Sequence, residues 1–207
     1  MQRKDWAARV DGLVVFRGLL QSEPLASLRA ALAADAAGLT GAVAAFESAL
    51  FTQGTNWTEV LLDAVLEAGL YAPSAMNNQK PVMVAVRDKA TRDQLSAMNA
   101  AVMGTKTDPF YGAPTVVVVL ADQSRATWLE DGSLAMGNLM LAAHALGLGS
   151  CWVHRAREVF AGAEGQALLR QWGIQGKYAG VAHCLLGYPD GPLPEPKPRR
   201  EHRIYRR

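Results

Sequence analysis

Between Tyr71 and Val82 the chain reads YAPSAMNNQKPV, a run of small and amide side chains that neither fill a core nor charge a surface. Pro73, Ser74 and Ala75 offer a low surface, and Asn77 and Gln79 set donors and acceptors beside it. Such a set suits a planar ligand with an apolar face and a polar rim, although an ordinary turn after a helix draws on the same residue types.

The elements around this turn are legible. Leu61, Leu62, Val65, Leu66 and Gly69 recur at helical spacing and lead into Pro73. Beyond the turn, PVMVAVRD reads as a short strand and ATRDQLSAMNAA as a helix. PTVVVVLAD is too apolar for a half-exposed strand and is placed at the centre of a sheet. A long helix is expected from Ala126 to Leu148, with Ala135, Gly137, Ala142, Ala143 and Gly147 permitting close packing. Strand SCWVH, helix AEGQALLRQWG and strand GVAHCLLGY complete the order. This is an α+β arrangement around one small sheet.

The chain has 207 residues, of which 50% are hydrophobic and 19% charged, enough apolar material for one domain with an appendage. Its character changes near residue 57. Residues 1–57 form an atypical, alanine-rich, helix-prone segment with little bulk to bury, and 58–207 the patterned domain with an extended C-terminal arm. The net charge of +2 does not imply a polyanion partner, although basic residues crowd the end, KPRREHRIYRR. That tail has one aromatic and no accompanying recognition helix, so a solvated arm is expected and no nucleic-acid partner. Cys151 and Cys184 each sit in an apolar run and read as reduced thiols, which points to a cytoplasmic setting and to no metal site. The apolar run LVVF is too short for a signal peptide, and the window from Leu134 to Val153 is broken by Asn138, His144 and glycines, so no membrane span is expected.

LLDAVLEAGLYAPSAMNNQKPVMVAVRD resembles the helix, turn and first strand of the nitroreductase family of flavoproteins, which carry P-S-x-x-N-x-Q there. YGAPTVVVVLAD, DGSLAMGNLMLAAHALGLGSCWV and GVAHCLLGYPDGPLPEPKPR are similar to later family segments, in the same order. The resemblance covers the chain from near Thr58 to Arg199. It implies a mostly antiparallel central sheet flanked by helices, and a homodimer in which Pro73, Ser74 and Asn77 touch flavin mononucleotide (FMN), with Ala75 and Gln79 completing the small and amide surface. It implies further that the backbone of Trp152, Val153 and His154 approaches the ring, where Trp152 is equally a packing residue and a lone histidine such as His154 is more often a surface or capping one. Lys106, in MGTKTD, stands where the family often places polar or basic contacts, and a cation there would favour the anionic reduced ring. The implied activity is hydride transfer from NAD(P)H through FMN to a nitroaromatic, quinone or similar small oxidant. The flavin carries the chemistry and no side chain is assigned as a catalyst. No Rossmann glycine fingerprint is present.

The phosphate end departs from the family. Where an Arg-x-Ser-x-Arg cluster is expected, the chain reads FESAL: Ser48 is kept, but Phe46, Glu47 and Leu50 replace cations. Lys197 and Arg199 match the family's C-terminal Lys-x-Arg. Two explanations stand: weak or altered flavin binding, extending to a non-catalytic relative of the same fold, or a first segment that is not the ancestral start.

Overall fold

The computed structural model describes residues 57–189 and 195–207. Helix α1 spans Trp57–Leu70 and a 3-10 turn covers Ala75–Asn77 before strand β1, Val82–Val86. Helix α2, Lys89–Met103, returns to β2, Thr115–Asp122, and α3, Trp128–Ala145, leads to β3, Gly149–Val153. Two short helices, α4 (Ala156–Ala161) and α5 (Ala163–Gln171), precede β4, Tyr178–Gly187.

The strands form one sheet in the order β1-β2-β4-β3, with every neighbouring pair antiparallel. β2 lies inside it, and its side chains divide by period two. Val117, Val119 and Ala121 pack under α1 and α3, whereas Val116, Val118 and Leu120 pack against α2, α4 and α5. Both faces are covered, which is why this strand has no polar alternation. The register passes from Val119 opposite Ala182 to Leu120 opposite Gly180, leaving Val181 as a bulge. Gly132 of α3 packs on that bulge, where an added Cβ would fall 2.5 Å from Val181 Cγ2.

Asp88 caps α2 by accepting from the Thr91 N–H at 2.8 Å, and Gly104 ends it at φ 67°. Helix α3 is shorter than its pattern suggests, closing before Gly147, whose φ of 75° suits glycine. Helix α4 was not read from the sequence, because six residues give too few turns for a periodic signal. Cys184 is buried and Cys151 half-buried, and both are free thiols. Burial, with Cys151 nearby, pushes the Cys184 thiol up to about 12.

Candidate functional site

The quoted turn adopts a backbone its composition does not announce. Met76, Asn77 and Gln79 all have positive φ, at 54°, 53° and 51°. None is glycine, so each costs roughly 1 kcal/mol or more relative to ordinary backbone. Several bonds hold this shape. The Ser74 hydroxyl accepts from the Gln79 N–H at 2.9 Å, and the Gln79 side-chain amide donates to Asn77 Oδ1 at 3.1 Å. Asn77 N–H donates to the Ser74 carbonyl at 2.9 Å, and the Asn78 side chain donates to the Ala75 carbonyl. Ala75 N–H donates to Asp131 Oδ1 of α3 at 2.9 Å.

Ahead of the turn, α1 is fixed to α3 at two further points. A Cβ on Gly69 would fall 2.4 Å from Met83 Sδ and 2.9 Å from Leu139, so glycine permits the close approach. Asn138 donates its amide to the Ala68 carbonyl at 3.0 Å. Behind the turn, Lys80 pairs with Asp122 at 3.2 Å. The Ser124 N–H, 2.9 Å from Asp122 Oδ1, is the chief reason that this carboxyl lies below its usual range, and Lys80 adds to it.

The result is a ledge facing outward. Pro73, Asn77 and Gln79 are exposed, Ser74 and Ala75 half-buried, and Met76 is 88% exposed. Large apolar residues beside it, Leu70 and Tyr71, are also exposed. Small groups, unspent amide capacity and outward backbone fit the face and rim of a flavin ring. An uncharged apolar recess lined by Leu61, Leu62, Leu148 and Tyr188 lies elsewhere, at the opposite end of the sheet.

The exit of β3 joins the ledge's end of the sheet through α3. The Arg157 guanidinium lies 5.5 Å from the centre of the Trp128 ring at the start of α3, and Gly180 packs against Ala156, where a Cβ would come 2.2 Å from the carbonyl oxygen. Trp152 and His154 are exposed there, whereas the Val153 side chain is buried in the α4–α5 core, leaving its backbone for any ligand. Lys106 is exposed in the loop after α2, and among the described residues it has no ion pair. Lys197 and Arg199 are exposed on the segment 195–207. Ser48, with Phe46, Glu47 and Leu50, lies outside the described residues.

Asp131 and Asn138, which do most to fix the ledge, escaped the sequence reading. A signal existed: they stand seven apart on the side of α3 that also carries Ala135, Leu139 and Ala142, where polar side chains need partners. Among the described residues no helix is long and apolar enough to cross a membrane.

Residues 102–188 match the model of the nitroreductase family. A protein of Archaeoglobus fulgidus, named provisionally as an NADH dehydrogenase/NAD(P)H nitroreductase, is 33% identical over 134 residues, 62% of this chain and 72% of its own length. One of the same name from Methanothermobacter thermautotrophicus is 31% identical over 98 residues, 45% of this chain, and the match spans about half, 49%, of that relative. Among solved structures, a nitroreductase with bound FMN from Bacteroides fragilis superposes with a TM-score of 0.64 at 27% identity, covering 70% of this chain and 86% of the other.

Proposed function

This chain belongs to the nitroreductase family, and from that premise we propose that it is an FMN-dependent oxidoreductase passing hydride from NAD(P)H to a nitroaromatic, quinone or similar small oxidant. The observation that carries the reading is the ledge: an exposed, hydrogen-bonded turn whose strained backbone has no evident structural purpose of its own.

Bound FMN would supply the two-electron chemistry. Pro73, Ser74 and Ala75 would lie against the ring, and Asn77 and Gln79 would meet its polar edge. Because Gln79 already braces Asn77, both amides are pre-oriented, and binding orders fewer side chains than it otherwise would. The backbone at Trp152, Val153 and His154 would close the other side, and Lys106 would add a cation. Lys197 and Arg199 would hold the phosphate, with Ser48. NAD(P)H and the oxidant would take turns at the open face, so the protein contributes positioning and exclusion of water without a nucleophile. A cytoplasmic setting completes the reading.

The proposed assembly is a homodimer. Leu134 and Leu141 are 47% and 67% exposed on α3, with Gly137 between them open to close approach. An apolar stripe of this kind is suited to a second copy.

Purified protein should carry, or take up, a flavin absorbance band, and NAD(P)H should bleach it until a quinone or nitroaromatic restores it. Protein that stays colourless with excess FMN removes the reading.

A further inference from the structure

We propose that Asp131 is a positioning residue for the ledge: its buried carboxylate, acting through the Ala75 N–H, holds Ser74, Ala75 and Asn77 in their ligand-binding conformation. The inference rests on the flavin reading given above.

Asp131 is 3% exposed, and a carboxylate so far from water requires partners. Its Oδ1 takes the Ala75 N–H at 2.9 Å, across 56 residues, and its Oδ2 the Thr127 hydroxyl at 3.3 Å. The simpler alternative is that it serves only its own helix, as acidic residues in a first turn often do. Glu130 already provides an exposed carboxylate in that turn. Asp131, by contrast, aims an oxygen away from α3, at the last N–H before three left-handed residues. The other hydrogen bonds of Ser74 to Gln79 run between the turn's own residues, apart from a long contact of the Arg125 guanidinium with Met76 Sδ at 3.9 Å, and the Lys80–Asp122 pair behind them reaches β2; none of these ties the turn to α3. The charge-assisted bond to Asp131 therefore ties the turn to α3, and α3 is fixed in turn to the sheet through Gly132 on Val181.

The test titrates FMN and riboflavin against the full chain and its Asp131→Ala, Asp131→Asn, Asn77→Ala and Asp131→Ala/Asn77→Ala variants. Asp131→Ala should weaken both ligands about tenfold or more, the factor expected for loss of a buried bond to a charged acceptor, because it acts on the ring end common to both. Asp131→Asn, whose Oδ1 still accepts, should restore affinity to within about threefold of the natural chain. In the double variant the losses should fall short of the product of the single ones, since both act through one turn. Binding by Asp131→Ala within about twofold of the natural chain, independent losses, or failure of Asn to rescue would each overturn the proposal. Amide exchange in the unaltered protein gives a second readout that needs no variant: the Ala75 N–H should be protected, and exchange as fast as in an open loop would overturn the anchor. A natural chain that binds neither FMN nor riboflavin removes the flavin reading, while Ala75 exchange still reports on the anchor alone.

Discussion

The Asn138 side-chain amide donates to the carbonyl of Ala68 at 3.0 Å, joining the last turn of α1 to the middle of α3. A carbonyl in that turn has no partner within its own helix, so the amide completes what the helix leaves open. Asn138→Ala is therefore expected to destabilise the fold by about 1–2 kcal/mol. A lowered denaturant midpoint with an unchanged slope would show this, and an unchanged midpoint would mean that water replaces the amide at no cost.

The segment FESAL makes the phosphate end the most exposed part of the flavin proposal. If only Lys197 and Arg199 meet the phosphate, both of them exposed so that water screens the contact, riboflavin should bind the natural chain nearly as well as FMN. Replacing Phe46, Glu47 and Leu50 together by arginine should tighten FMN, by about 1.5–3 kcal/mol for each contact made, and leave riboflavin unchanged. A natural chain that already prefers FMN strongly would show that another cation completes the clamp.

The stripe on α3 gives a test of assembly. Leu141→Arg places a charge where a second copy is proposed to pack, and at 67% exposure it should not disturb the fold of one chain. Light scattering should show the natural chain as a dimer and the variant shifted to monomer, with weaker flavin retention. An unchanged mass would place the contact elsewhere.

His183 is fully buried between Phe110 and Phe160, with ring centres 5.1 Å and 6.1 Å away, and among the described residues neither of its nitrogens has a partner. Burial lowers its pKa from 6.5 to about 3. The sign follows. Between these values the unfolded chain binds a proton that the folded one refuses, so the histidine favours folding less and less as pH falls from about 6.5 towards 3. His183→Leu should remove this part of the acid sensitivity and hold stability at neutral pH, since it also deletes two unpaired polar atoms. Denaturant titrations of both proteins at pH 7 and pH 5 would decide it: equal losses on acidification would assign the sensitivity to other groups. Asp108 is one. Although partial desolvation raises its pKa, the Arg92 guanidinium at 2.7 Å, the Ser96 hydroxyl and the N–H groups of Gly112 and Phe110 hold its carboxyl well below the usual range. Its contribution is present above the ordinary carboxylate pKa and fades only at lower pH, so the two effects occupy different windows.

Sequence alone determined those features that repeat along the chain or concentrate in one place. The unbroken TVVVVLA of β2 specified a strand covered on both faces, and helical spacing in α1 specified the side that would be buried, whereas α2 buries Arg92, Ser96 and Asn99 beside Leu95, which apolar spacing does not mark. YAPSAMNNQ marked the ledge by composition, because a run of small and amide groups after an amphipathic helix is unusual enough to notice. Tertiary structure decided how that ledge is shaped and held. No glycine announces the left-handed backbone of Met76, Asn77 and Gln79, since these residues take it only under constraint from their surroundings. Nor does local pattern pair Asp131 with Ala75 or Asn138 with Ala68: periodicity records which residues leave water, whereas the partner that satisfies a buried polar group is chosen by packing between elements far apart in the chain.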